Sequence, residues 1–156
     1  MDADDRGPHA QRQRVMRACA AATASELQAA IAAFGDESSA SDLRAPETGL
    51  VMLRGRIGGD GAPFNTGEAT VTRAVVQLAS GEIGYGYLLG RSTGRARNAA
   101  IIDALAQNPS HAEPIETEFV APVFARVAAE REECQRKAAA TRVNFFTLAR
   151  GEDDNP

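Results

Sequence analysis

The sequence predicts an α+β fold, an antiparallel β-sheet flanked by N-terminal, central and C-terminal helices. Three observations point there. Apolar residues recur at helical spacing near both ends of the chain and once between, as in Leu27, Ala30, Ile31 and Phe34. The middle, from Leu50 to Leu89, alternates apolar and polar residues as half-buried strands do. Ser80-Gly81 separates two such runs and reads as a two-residue hairpin turn, so the strands it joins run antiparallel.

Each element has its own signal. Val15, Met16 and Cys19 place a first helix over about His9 to Ala22. Thr23 and Glu26 form a capping box that opens a second helix, and Gly35 stops it. Asp36 to Ser41 reads as a polar loop. Leu50 to Ile57 is a strand, followed by a glycine-rich loop from Gly58 to Gly67 and a long strand from Ala69 to Leu78. The return strand is Ile83 to Leu89. If Ala79 pairs with Glu82, then Val76 faces Tyr85 and Ala74 faces Tyr87 on a filled core face. The other face then carries Val75 opposite Gly86 and Gln77 opposite Gly84, with Arg73 beside them. Glycine within a strand marks close approach of another backbone, so Arg73, Val75, Gly84 and Gly86 form the expected partner interface. Ser92 or Thr93 caps a third helix, about Arg95 to Gln107, which Asn108-Pro109 ends. Ile115 to Ala121 reads as a short edge strand, Val123 to Ala140 as a fourth helix with a charged second half, and Val143 to Leu148 as a strand. The whole, 1–156, is expected to be one domain with 1–8 and 151–156 flexible.

Composition narrows the function. Of the 156 residues, 31 are alanine and only 30 are Leu, Ile, Val or Phe, with no Trp. So thin a supply of large side chains suggests that neighbouring chains complete the burial. A net charge of −4 argues against general nucleic-acid binding. No apolar run approaches the ~20 residues of a membrane span, and the acidic start does not resemble a secretory signal. Cys19 and Cys134 give neither ligand spacing nor a disulfide framework, which fits a reducing cytoplasm.

The residues offer no self-sufficient active site. The Gly58 to Gly67 loop lacks a Gly-Lys-Ser/Thr ending, and Pro63-Phe64 interrupts it, so a long hairpin loop is the better reading than a phosphate cradle. Arg54, Arg56 and Arg73 on strands, with Arg91, Arg95 and Arg97 around the start of the third helix, could form an anion site or interface ion pairs. Glu47 and Glu68 would serve as an acid/base pair only if close together. His9 and His111 read as surface residues. No catalytic residue and no metal site is expected.

The central segment carries a resemblance. Glu47-Thr48-Gly49-Leu50-Val51, Arg56-Ile57-Gly58-Gly59-Asp60-Gly61, Phe64 and Gly67-Glu68-Ala69-Thr70-Val71-Thr72-Arg73-Ala74 are similar to the PhnG family. Gly84-Tyr85, Gly90-Arg91, Ile102-Asp103-Ala104-Leu105 and Arg142-Val143-Asn144-Phe145-Phe146-Thr147 continue the match, from about Gln11 to Gly151. The resemblance implies a cytoplasmic subunit of the bacterial carbon–phosphorus lyase system, assembled with PhnH-, PhnI- and PhnJ-type subunits in paired copies. Together with PhnH-, PhnI- and PhnL-type proteins, such a subunit is required to displace adenine from ATP and join the ribose to an alkylphosphonate. The product is an α-D-ribose 1-alkylphosphonate 5-triphosphate. No cofactor is expected on this chain, which lacks the cysteines for the iron–sulfur cluster of the later bond-cleaving step. Arg73 and Arg91, each in a matched motif near a glycine-rich turn, are the candidate substrate contacts. The alternatives are a free-standing enzyme with a phosphate site at Gly58 to Gly67 and a purely architectural subunit.

Overall fold

The computed structural model describes residues 8–35, 40–58 and 60–141. Along the chain come α1 (Pro8–Ala21), α2 (Ala24–Phe34), β1 (Ala40–Gly55), β2 (Phe64–Leu78), β3 (Ile83–Leu89), α3 (Thr93–Leu105), α4 (Pro109–Ile115), a π-helical turn (Glu116–Val120) and α5 (Ala121–Ala140). The strands form one antiparallel sheet in the order β1-β2-β3, as an α+β fold requires. The strand expected at Val143 to Leu148 and the tail Gly151 to Pro156 lie outside the described residues.

Local chemistry accounts for the ends of the helices. Thr23 and Glu26 close the expected capping box: the Glu26 amide donates to Thr23 Oγ1 at 3.2 Å and the Thr23 amide to Glu26 Oε2 at 2.7 Å. Gly35 ends α2 in an extended rather than left-handed conformation. What it supplies is room, since a Cβ there would sit 2.7 Å from Leu105 Cδ1. Ser92 caps α3, and Asn108 caps α4, whose first residue is Pro109. Proline here begins the next helix at once instead of opening a loop.

The edge strand expected at Ile115 to Ala121 is helix. Residues 109–140 run through α4, the π-helical turn and α5 without a break. Pro122 has no N–H to return to Glu118, and the Ala121 amide instead reaches back to the Glu116 carbonyl. The widened turn keeps Ile115, Phe119, Val120 and Val123 all buried. Their β-branched and aromatic character, read alone, imitated a strand.

The strands are longer than the alternation suggests. β1 begins at Ala40, inside the expected loop, with irregular pairing around Arg44 and Glu47. β2 begins at Phe64, so the connecting loop is shorter than Gly58 to Gly67. The hairpin between β2 and β3 also differs. Its loop holds three residues, Ala79, Ser80 and Gly81, closed by the Leu78 amide on the Glu82 carbonyl at 3.0 Å. Gly81 has a φ of 106°, the left-handed third position that such loops favour. Gln77 therefore pairs with Ile83, and the register shifts by one residue from the two-residue turn. A slip of one exchanges the faces of β3. Gly84, Gly86 and Leu88 join Thr72, Ala74 and Val76 on the buried face, while Tyr85, Tyr87 and Leu89 join Arg73 and Val75 on the other.

The expected partner contact at Gly84 and Gly86 is corrected by this register. Both glycines are buried against α3 of the same chain. A Cβ on Gly84 would lie 2.6 Å from the Ala104 nitrogen, and one on Gly86 2.9 Å from the Ala96 carbonyl carbon. A second backbone does approach closely, and it belongs to α3. Ala96, Ala100 and Ala104 repeat every fourth residue and form the small-residue stripe that rests on the glycines. Nine of the thirteen residues of α3 are buried, because α1 and α2 pack on its other sides. Ile101 and Ile102 have no exposed surface there. At this Gly/Ala contact the layers meet backbone to backbone, and few large side chains are needed between them.

One outer rim of the sheet is plugged. The Ile83 carbonyl accepts from Gln107 Nε2 at 2.7 Å and Arg12 Nη2 at 3.3 Å, and the Tyr85 amide donates to Asp103 Oδ2 at 2.9 Å. Asp103 is fully buried and also takes both arms of the Arg12 guanidinium, at 3.0 and 2.7 Å. That carboxylate thereby ties α1, α3 and β3 together.

Candidate functional site

The sheet face opposite α3 has no helix on it among the described residues. Arg73 stands at its centre, paired with Glu47 of β1 and Tyr87 of β3. Its Nε donates to Glu47 Oε1 at 2.7 Å, and Arg44 Nη1 donates to the same oxygen at 2.8 Å. Arg73 first, then Arg44, holds the Glu47 carboxyl below its ordinary range. Val75 is half-buried between Arg44 and Tyr85. Tyr85 is 48% exposed, Tyr87 52% and Leu89 72%. Aromatic and aliphatic side chains around an ion-paired arginine make a surface suited to another protein.

The end of the sheet away from the hairpin is barer still. β3 stops at Leu89, opposite Val71. Beyond that point only residues 50–55 of β1 and 64–70 of β2 remain, a two-stranded arm. Leu50 is 63% exposed on it and Met52 59%. Arg54, Gly55, Arg56 and Pro63 border a hollow of about 500 Å³ at its tip. Sequence reading missed the arm because β2 was expected to start at Ala69. The unbroken apolar run Leu50-Val51-Met52-Leu53 was the available signal.

The other candidates disperse. Arg91 is exposed in the turn between β3 and α3 and has no partner among the described residues. Arg95 donates to the Ala20 and Ala22 carbonyls, and Arg97 to Asp42 and the Ala40 carbonyl, so these two arginines brace the fold. Glu68 pairs with Met52, several positions along the ladder from Glu47, and the two carboxylates form no acid/base pair. His9 lines a cavity of about 460 Å³ with Arg12 and Gln107, and His111 lies beside Ser80 and Glu82 in another of about 250 Å³. Among the described residues no three His, Cys, Asp or Glu side chains could hold a metal ion. Burial raises the Cys19 thiol, which leaves it unsuited as a nucleophile. No helix among the described residues is long and apolar enough to cross a membrane.

Among the described residues the geometry offers surfaces and no assembled catalytic group. Comparison with known proteins gives those surfaces a context. Residues 10–151 match the family model described as phosphonate metabolism protein PhnG. The chain belongs to the PhnG family. A PhnG relative from Rhizobium meliloti (strain 1021) is 52% identical over 150 residues, covering 96% of this chain and 95% of the relative. That relative is named alpha-D-ribose 1-methylphosphonate 5-triphosphate synthase subunit PhnG. The motifs that carry the resemblance from Glu47 to Ala74 lie on β1, β2 and the connection between them.

Proposed function

We propose that this PhnG chain is a subunit of an α-D-ribose 1-methylphosphonate 5-triphosphate synthase within the carbon–phosphorus lyase system. The observation that carries the reading is the end-to-end likeness, at 52% identity, to a relative bearing that name. The assembly joins the chain, as one PhnG-like domain, to PhnH-, PhnI- and PhnJ-type subunits in paired copies in the cytoplasm. With a PhnL-type protein it transfers the ribose triphosphate of ATP to an alkylphosphonate and releases adenine. In this reading the chain supplies no catalytic group of its own. It completes the fold of its partners through the open face around Arg73 and Val75. In this reading Arg73 and Arg91 are the candidate contacts to substrate phosphates. What supports a subunit role is physical: an open sheet face, an arm with exposed apolar residues, and no clustered acid, base or metal ligands among the described residues.

Reconstitution tests it. Partner subunits are purified with and without this chain and supplied with ATP and methylphosphonate, and adenine release is followed. Adenine should form only when the chain is present. Full adenine release without it would refute the proposal.

A further inference from the structure

The arm formed by residues 50–55 and 64–70 asks for an explanation that the open face alone does not give. Within the strand, Leu50, Val51, Met52 and Leu53 make both faces apolar for four residues, as in a strand buried on both faces. The pleat sends Leu50 and Met52 to one side and Val51 and Leu53 to the other. Among the described residues nothing covers Leu50, Met52 or Leu53, which are all exposed. A two-stranded ribbon of this kind is only marginally stable in water by itself. A flat partner surface would cover one side of it and leave the other wet, whereas a cleft covers both.

The tip adds charge. Most described arginines are engaged: Arg12 with Asp103, Arg14 with Glu116, Arg73 with Glu47, Arg126 with Glu26. Arg54 has no partner among the described residues, and Arg56 reaches only the Gly61 carbonyl at 3.2 Å. Neither Asp60 in the loop nor Glu68 on β2 pairs with them. An apolar shaft ending in two uncompensated guanidinium groups is complementary to an apolar cleft with an anion at its inner end. Planar, always-charged donors match phosphate oxygens in pairs.

We propose that this arm inserts into a cleft of another subunit of the synthase, where Arg54 and Arg56 contact the triphosphate of the bound nucleotide. The inference rests on the function proposed above and adds the arm and its two arginines to it. Full-length chain is compared alone and assembled with the partner subunits by amide hydrogen exchange. Arm amides should exchange fast in the free chain and about a hundredfold more slowly in the complex. The double variant Leu50→Asp/Leu53→Asp should melt like the parent alone yet fail to co-purify, because neither side chain enters the core. Arg54→Ala/Arg56→Ala should assemble normally and raise KM for ATP about tenfold. Fast exchange in the complex, or normal assembly of the aspartate variant, overturns the insertion. So does protection already present in the free chain, whether from residues 142–156 or, where it depends on protein concentration, from a second copy. Loss of assembly in the arginine variant, or an unchanged KM, overturns the triphosphate contact. Failure of the parent chain itself to join the partners would instead sink the functional reading on which the arm depends.

Discussion

Replacing Gly84 by alanine tests the register and the layer packing together. A Cβ at that position would stand 2.6 Å from the Ala104 nitrogen and 2.8 Å from the Ala104 Cβ, and nearer still to the Ala100 carbonyl oxygen. Unstrained contacts need about 3.5 Å, so α3 must retreat by more than about 1 Å. A gap of that size forfeits about half or more of the dispersion attraction across the interface. Nine residues of α3 are buried and move with it. The cost therefore belongs at the top of the range for overpacking, about 3 kcal/mol. Gly49→Ala is the control, because nothing lies within 4 Å of its added methyl; it should change stability by less than about 0.5 kcal/mol. Urea unfolding followed by far-UV circular dichroism reads the difference. With a slope of about 2 kcal/mol per molar, the Gly84→Ala midpoint should fall by about 1.5 M against the control. Equal midpoints would mean that α3 does not rest on the glycines and that the two-residue hairpin register is the true one.

Three further outcomes are expected. Asp103→Ala removes a fully buried carboxylate that holds Arg12 and the Tyr85 amide, and should cost about 3 kcal/mol in denaturant unfolding; a loss below about 1 kcal/mol would deny the clasp between α1, α3 and β3. Arg126, chiefly, pulls the Glu26 carboxyl down to about 2 from 4.5. A lowered native value means stability that is complete above the unfolded pKa and is lost as pH falls from about 5 toward 2, so Glu26→Gln should be the less stable protein at pH 7 and converge with the parent at pH 2; parallel pH profiles would contradict the pairing. Arg73→Ala breaks an exposed ion pair and should leave the melting temperature of the free chain unchanged while weakening assembly with the partner subunits; an intact complex of unchanged activity would remove Arg73 from the interface.

What the sequence disclosed follows how local each signal is. The α2 capping box, the Ser92 cap of α3 and the extent of β3 rest on neighbouring residues, and all three are as expected. The hairpin register rests on whether Gly81 is the second or third loop residue. Ser-Gly suits both, and that one-residue ambiguity placed Tyr85 and Tyr87 in the core and the glycines outside. Gly84 and Gly86 did report a close backbone, but composition cannot say whether that backbone is the chain's own. The helix through Ile115 to Ala121 was hidden by a π-helical turn, which breaks the period that a search for helices relies on. At the candidate site, Arg73 and Val75 do lie on the open face. The arm stayed unseen because Phe64 to Gly67, rich in glycine and polar residues, imitates a loop and pairs as a strand only opposite Leu53 to Gly55.

The clasp at Ile83 and Tyr85 has a consequence for how copies of this chain can stack. Ribbons that add strand upon strand without end need two receptive rims, one giving and one taking. Here side chains of Arg12, Gln107 and Asp103 already occupy the backbone groups where a newcomer would first dock on β3. Growth is then confined to the β1 margin, where meeting like with like closes a pair and halts. The plugged part of the β3 rim thus takes away one of the two margins that open-ended strand addition needs.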